Sequence, residues 1–584
     1  MFRTVIQHII LSGVLFAFLF SSCKTGSDST APLTLNVRIP IEPESLNPLF
    51  AKSSYATQIT SLILLPIAEY DPVSLKLSPL LITEIPSAEN ITEGKHAGGQ
   101  RYQLHFRPEA TWSDGKPVTA EDYLFTLKAI FNPYVSASTT RGFLSFITEV
   151  ETDPNDPKHA SAYIDSSYIL ALEIVTNFNL YPAHIYDPQN FMSKITLGEL
   201  MDPNKKWSAE QDTLLKQFAT SFESPHFGRE VVSGAGPYEF DNWATGGFIR
   251  LKRKNNYWGD KITNAPLLLQ AYPTEITYRI ITDAATAEAA LKSEEIDVMG
   301  DVSAATFVKM KNDPEWSSKF QFASPALLQM NYLLLNNRKP VLADKRIRQA
   351  LAYTLDYDGI MNNLLQGLGE RSVGPIHPSK PYYDKELKPV KQDINKAIAL
   401  IKEAGWKDTN GNGIPDKMID GKLQELSIGI KITAQEEGKA IANILKENAK
   451  KAGIEINIEV LDNSQFNEDR RQGNFDVEPM RFRSQPAIDD PYQNWHTESD
   501  KPGGGNVSGF HNTAADSIIN EIRTDTSEKE RDHDFQSLQE LLYNEQPVIF
   551  LYVPLERIVV SKKFEFISSS RKPGYFENLF KLRS

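Results

Sequence analysis

Side chains that could bind a metal ion are concentrated in one short loop. Oxygen-bearing side chains stand at its first, third, fifth and ninth positions, with a glycine at the sixth: Asp408, Asn410, Asn412 and Asp416. This matches the first half of a calcium loop, but Ile419 stands where such a loop has its bidentate glutamate. A calcium site and a plain Asn/Gly turn therefore both stay open. The sequence requires no cofactor, and calcium is the only one that it suggests.

Motifs that carry catalysis are not found in the sequence. It contains no G-x-S-x-G nucleophile elbow, no P-loop and no H-E-x-x-H pair. The ten histidines are scattered and only one cysteine is present, which argues against structural zinc and excludes an intramolecular disulfide. We therefore expect a binding protein without catalytic residues. An envelope enzyme such as a hydrolase stays open as an alternative, because catalytic side chains need not be neighbours in sequence.

Length and charge limit the fold and the partners. A chain of 584 residues is too long for one core and should divide into two or three lobes. Its 62 basic and 75 acidic residues give a net charge of −13, which disfavours nucleic acid as a partner. No internal repeat or heptad run points to a solenoid or a coiled coil.

Two stretches define the elements that must position a binding site. In the first, residues 101–133, apolar side chains alternate as a strand, Asp114-Gly115 supplies a turn, and Thr119 with Asp122 resembles the capping box of a helix. In the second, residues 426–460, two alternating strands flank one amphipathic helix. That order predicts a βαβ unit with parallel strands and a right-handed crossover.

Five strings carry a resemblance to a known family. In chain order they are EPESLNPLF (42–50), WSDGKPVTAEDYLFTL (112–127), GAGPYEFDNW (234–243), NNYWGD (255–260) and DKRIRQALAYTLD (344–356). The chain resembles the family 5 extracytoplasmic solute-binding proteins, the oligopeptide- and dipeptide-binding group that serves ABC importers. The resemblance implies an α/β fold, a two-lobe periplasmic-binding-protein clamp of type II with an extra accessory lobe, hinged by crossing strands.

The same resemblance implies a division into lobes. Residues 74–229 would form the accessory lobe II and residues 301–545 lobe III. Lobe I would combine three segments: 34–73, 230–300 and 546–584. The apolar strand from Val548 to Val553 is therefore expected to return to lobe I.

Ligand contacts are implied at two places. The loop after Leu46-Asn47-Pro48 places Lys52, Ser53 and Ser54 where peptide-binding members touch their ligand. Tyr332, on a predicted strand, is a candidate of the same kind. An exposed loop without ligand contacts stays the alternative for Lys52 and the two serines.

The chain departs from its family before Asp490-Pro491. Peptide-binding relatives place a tryptophan and an amine-binding aspartate at the positions that hold Ser484 and Ala487 here. Asp489 could replace that aspartate only if the loop shifts by two residues.

Two arginines precede this loop, Arg481 and Arg483. Without a fixed carboxylate nearby they would suit a ligand that carries a carboxylate or phosphate, which guanidinium groups bind in a bidentate manner. The alternative is that both arginines form surface ion pairs with neighbouring acidic residues.

The N-terminus resembles a lipoprotein signal. Arg3 and a short apolar run predict a signal peptide over residues 1–22, and Cys23 stands where a lipobox has its lipidated cysteine. Residues 23–33 would then be anchor and tether. A buried free thiol and ordinary signal-peptidase cleavage are the alternatives.

Together these features predict a monomeric receptor in the periplasm or cell envelope, lipid-anchored to a membrane. It would capture a peptide or peptide-like solute and deliver it to an ABC permease complex. A sensory receptor that closes on its ligand without transport is a further alternative.

Overall fold

The computed structural model describes residues 33–165, 168–524 and 527–583, which form two large β-sheets, one four-stranded sheet and three two-stranded sheets, with helices around them. The predicted signal peptide, Cys23 and nearly all of the tether lie outside the described residues. In the described part of the chain, no helix is both long and apolar enough to cross a membrane.

The first lobe is built on a seven-stranded sheet. Its parallel centre pairs Thr34–Ile39 with Glu275–Ile280, and the alternation of Leu35, Val37 and Ile39 buries these side chains completely. In spatial order the strands are Phe320–Ala323, Ile558–Ser561, Val298–Met299, Thr34–Ile39, Glu275–Ile280, Phe248–Arg253 and Tyr238–Ala244.

The third lobe is built on a six-stranded sheet. The predicted βαβ unit is present, with Ser427–Ile432 parallel to Glu455–Val460 and the helix Glu436–Lys450 between them. In spatial order the strands are Gly369–Arg371, Val548–Pro554, Gln329–Leu335, Val477–Arg483, Ser427–Ile432 and Glu455–Val460.

The accessory lobe carries a four-stranded antiparallel sheet, in the order Ala88–Asn90, Gln100–His105, Asp156–Ile164 and Ile147–Asp153. The predicted strand, turn and capped helix meet at the buried carboxylate of Asp122. It accepts hydrogen bonds from the backbone N–H of Thr119 (2.9 Å) and from the indole of Trp112 (3.2 Å). Trp112 is thus a packing residue that also satisfies a buried charge.

Helices cover the faces of these sheets. Those of nine or more residues are Ala120–Phe131, Ala209–Phe222, Ala284–Lys292, Ala304–Asn312, Lys345–Thr354, Ile394–Glu403, Glu436–Lys450, Asn463–Gln472, Thr513–Thr524 and Glu528–Glu545. Asp344 and Asp393 cap two of them by accepting hydrogen bonds from backbone N–H groups of the first turn, as aspartate at this position commonly does.

The apolar cores show which parts of the chain are built together. One cluster of buried side chains is continuous between the first sheet and the accessory lobe, from Leu35 through Leu104 to Phe222. Separate clusters lie on the two faces of the six-stranded sheet, one around Leu333 and one around Leu334. The accessory lobe therefore packs with the first lobe, and the third lobe has its own cores.

A two-stranded ribbon connects the two large sheets. Phe320–Ala323 pairs with Ile558–Ser561 in the first sheet, and Gln329–Leu335 pairs with Val548–Pro554 in the second. Between the sheets, the crossing segments 324–328 and 555–557 also pair, because Leu327 N–H donates to Pro554 (3.1 Å) and Glu556 N–H donates to Pro325 (2.8 Å). These are the crossing strands that the resemblance implies.

Two strands lie in a different sheet from the one expected. Val548–Pro554 is a central strand of the third lobe's sheet, and the chain returns to the first sheet only at Ile558–Ser561. Phe320–Ala323, expected within lobe III, closes the edge of the first sheet. The reason is the ribbon, whose two strands must cross side by side. The remaining lobe boundaries stay predictions.

Candidate ligand-binding site

The loop that follows Arg483 is held by a buried lysine. Lys380 Nζ donates to the carbonyl oxygens of Gln485 (2.6 Å) and Ala487, and it lies 3.8 Å from the carboxylate of Asp489. Burial lowers the pKa of Lys380 and raises that of Asp489. Lys380 thus contacts three residues of one loop that is distant from it in sequence. These contacts hold both the lysine and the loop in place.

Asp489 takes its other partners from the protein as well. Tyr382 donates to its carboxylate at 3.0 Å and Ser484 Oγ donates at 3.2 Å. Ser484 is buried, and its N–H donates to Leu328 in the crossing segment (3.0 Å). These contacts bind the oxygens of Asp489 to the protein, so they do not favour Asp489 as the replacement for the aspartate that is missing at Ala487.

Arg481 and Arg483 project from the strand just before this loop. They lie opposite Asn331 and Gln329 of the neighbouring strand, on one face of the six-stranded sheet. Both side chains are exposed, and within the described residues neither has a hydrogen-bond or ion-pair partner. The geometry therefore does not support surface pairing of these arginines.

Two cavities meet at Arg483. One, of about 210 Å³, is walled mainly by the first lobe, including Ser54, and the other, of about 370 Å³, lies in the third lobe and contains Arg481 and Tyr332. Arg483 lines both of them. Tyr332 also borders a small apolar cavity of about 60 Å³ on the opposite face of the sheet.

The cations of the first cavity differ in their pairing. Arg571 pairs with Glu69 at 3.1 Å, and Lys572 pairs with Asp301 at 3.2 Å. Among the described residues, Arg483 is the cation of this cavity without an acidic partner. An unpaired guanidinium is a strong anion-binding group, because it can donate two parallel hydrogen bonds to one carboxylate or phosphate.

Of the three residues in the first ligand loop, only Ser54 reaches the cavity wall. Ser53 caps the helix Ser54–Thr60 and accepts from the N–H of Tyr55 (3.1 Å). Lys52 is exposed, and its backbone N–H donates to Glu44. The interpretation of Lys52 and Ser53 as part of an exposed, capping loop is the one that these contacts favour.

The candidate calcium loop folds as a hydrogen-bonded turn. Asp408 accepts from the N–H groups of Gly411 (2.7 Å) and Gly413 (2.9 Å), and buried Asp416 accepts from Thr409. Asn410 and Asn412 accept from backbone N–H groups two residues ahead, as in Asx turns. Within the described residues, no three His, Cys, Asp or Glu side chains are placed to hold a metal. The contacts favour the plain turn.

The sequence interpretation missed two residues of the site. Lys380 acts on a loop more than a hundred residues away, which no local pattern indicates. Glu437, at the start of a helix, lines the third-lobe cavity beside Arg481. Acidic residues are common at helix starts, so its position alone carries no functional signal.

Comparison with known proteins identifies the family. Residues 76–504 match the profile of the bacterial extracellular solute-binding proteins, family 5. The chain belongs to this family. Family 5 proteins are extracytoplasmic solute receptors and not enzymes, and they fold as mixed α/β clamps with several lobes.

Individual relatives cover nearly the whole of this family 5 protein. The oligopeptide-binding protein AppA of Bacillus subtilis is 25% identical over 530 residues, which is 90% of this chain and 87% of AppA. The AppA structure in complex with a nonapeptide superimposes with a TM-score of 0.73 at 23% identity, covering 95% of this chain and 100% of that one. NikA from Brucella suis in complex with Fe(III)-EDTA gives 0.73 at 20% identity, covering 94% and 100%.

A buried glutamate on the strand Val477–Arg483, which also carries Arg481 and Arg483, predicts that the stability of the protein depends on pH. Glu478 is fully buried, both of its oxygens lack a hydrogen bond within the described residues, and Arg470 lies 3.8 Å away. Burial raises its pKa from 4.5 to about 7. Between these values the folded state binds more protons than the unfolded state, so stability falls as pH rises and levels off above about 7.

Glu478→Gln should remove this loss of folding stability. The loss is on the order of 3 kcal/mol at pH 8 when the shift in the pKa of Glu478 is converted to free energy. Urea unfolding from pH 4.5 to 8 should show a shallower decline than wild type. It should not become flat, because burial also raises the pKa of Glu577 to about 7. Glu447→Gln, at an exposed position, should keep the wild-type slope. Parallel curves for wild type and Glu478→Gln would show that Glu478 is ionised in the native protein.

Proposed function

We propose that this protein is the solute receptor of an ABC importer and captures a peptide or peptide-like solute in a cleft between its first and third lobes. The observation that carries the proposal is Arg483, which has no acidic partner among the described residues and lines the cavities of both lobes. A ligand bound there would touch both lobes at once. The relatives named as oligopeptide-binding proteins support peptide as the ligand class.

Closure of the clamp would strengthen these contacts. Bending at the crossing segments brings the two cavities together and removes water between them, and charge pairs are stronger in the drier cleft. An anionic group on the ligand, such as a peptide carboxylate, would then pair with Arg481 and Arg483 in a bidentate manner. In this arrangement the two arginines bind the ligand, and Asp489 stabilises the loop.

Ligand and arginines can be tested together. A thermal-shift screen of synthetic di- to pentapeptides, free amino acids and anionic metal chelates should find a peptide that raises the melting temperature, because a ligand that binds only the folded state stabilises it. Calorimetry with that peptide should then show that Arg481→Ala or Arg483→Ala weakens binding at least about thirtyfold, the effect of about 2 kcal/mol or more for a desolvated pair.

The controls separate binding from folding. The melting temperature without ligand should change little in both variants, because both side chains are exposed and neither has a hydrogen-bond or ion-pair partner among the described residues. Arg471→Ala, an exposed arginine of the same lobe outside both cavities, should bind like wild type. Arg→Lys should rescue only partly, since an ammonium cannot form the planar two-point contact. Wild-type affinity in both alanine variants would exclude the arginines from the site.

We further propose that the receptor is a monomer anchored to a membrane through lipid on Cys23, after removal of residues 1–22, with residues 23–33 as tether. The support is the position of the cysteine after a short apolar run. A single acyl chain binds membranes only marginally, so a stable anchor needs at least two chains.

Cys23→Ser should release the protein from membranes into the soluble fraction after cell lysis. Mass spectrometry of the wild-type N-terminal peptide should show Cys23 as the first residue with its acyl chains attached. A mature N-terminus at another residue without acyl mass would remove the anchor.

A further inference from the structure

A row of polar side chains interrupts an otherwise apolar face of the six-stranded sheet. On this face, Asn331 lies between Arg481 on one neighbouring strand and Tyr552 on the other. Much of the rest of the face is apolar core, which includes Leu333, Leu335, Val477, Ile549 and Leu551. Buried polar groups cost stability unless they are hydrogen-bonded, and the core itself does not require them.

The polar row ends at a carboxylate from the covering helix. Asn331 Nδ2 donates to Glu437 Oε1 at 3.2 Å, and Tyr552 donates to the same oxygen at 2.6 Å. Gln329 Nε2 in turn donates to Asn331 Oδ1 at 3.0 Å, which fixes the orientation of that amide. Burial and the Glu437 charge both raise the pKa of Tyr552, so its hydroxyl stays protonated and acts as a donor.

These bonds hold one oxygen of Glu437 and leave the other available. Within the described residues, Oε2 receives no hydrogen bond and forms no ion pair. The donors to Oε1 come from the sheet and not from the first turn of the helix, so Glu437 is not a capping residue. It lines the same 370 Å³ cavity as Arg481 and Arg483.

We propose that Glu437 binds an ammonium group of the ligand through Oε2, while Arg481 and Arg483 bind its anionic group, so that the receptor selects zwitterionic solutes. This inference rests on the proposed function and names the ligand chemistry of the same site. It assigns the amine contact to a residue on a helix of the third lobe, in place of the loop position that Ala487 occupies.

Charge complementarity explains why both groups are needed. The two guanidinium groups give the cavity an excess of positive charge, which by itself would repel an ammonium group. A carboxylate held by two donors in the cavity wall offsets this locally and needs no rearrangement when the ligand binds. A solute with only an anionic group would therefore leave Oε2 of Glu437 without a partner in the closed cleft, which discriminates against that solute.

The test uses one peptide in three chemical forms. Calorimetry would compare the tightest-binding synthetic peptide with its N-acetyl and C-amide derivatives, on wild type and on Glu437→Gln. Wild type should bind the N-acetyl form at least about thirtyfold more weakly than the free peptide, as expected for loss of one partner of a desolvated charge pair. Glu437→Gln should bind both forms equally and still discriminate against the C-amide.

The design includes a matched control and separates the two claims. Glutamine keeps an acceptor for Asn331 and Tyr552, so the variant should fold with a near-native melting temperature. Glu436→Gln makes the same charge change one residue earlier, at a side chain that is 90% exposed and pairs with Lys439, and should discriminate like wild type.

Three outcomes overturn the inference. If Glu437→Gln still rejects the N-acetyl peptide, another residue binds the amine. If wild type binds free and N-acetyl peptides equally, the amine is not recognised, although solute capture stands. If wild type binds no peptide in any form, the proposed function fails and the inference fails with it.

Discussion

The fold depends on one constraint, which is that the chain must pass between its two large sheets as a paired ribbon. An unpaired crossing segment would leave backbone N–H and C=O groups without partners at the centre of the molecule. Here the segments 324–328 and 555–557 satisfy each other. The ribbon fixes which strands lie at the centre of the third lobe's sheet, and in the proposed mechanism it is the connection about which the lobes would bend.

The candidate site follows from the same ribbon. Gln329 is the first strand residue after the crossing, and Arg483 lies directly opposite it. Ser484 continues the contact by donating its N–H to Leu328 in the crossing segment. The polar side chains of the candidate site thus lie next to the segment in which the chain crosses from one lobe to the other. A site at this position can couple ligand binding to the bend.

Local patterns predicted elements well and long-range partners poorly. The alternation in Thr34–Ile39 indicates a strand because the two-residue period is a property of the strand itself. Val548–Pro554 shows no alternation, because nearly every side chain is buried on both faces, and its sequence therefore does not indicate which strands it pairs with. Arg481 and Arg483 were proposed as ligand contacts because they precede the loop in which the chain departs from its family. Lys380 and Glu437 were not, because their partners lie on other elements of the fold.

The central claim is that the lobes close over a ligand about the ribbon. Distances should be measured by single-molecule fluorescence transfer between labels at Asn242→Cys in the first lobe and Glu447→Cys in the third, both exposed positions, in a Cys23→Ser background. The binding peptide should shorten this distance, while a pair within the third lobe, Lys385→Cys with Glu447→Cys, should stay unchanged. An interlobe distance that does not respond to a saturating peptide would contradict the clamp mechanism.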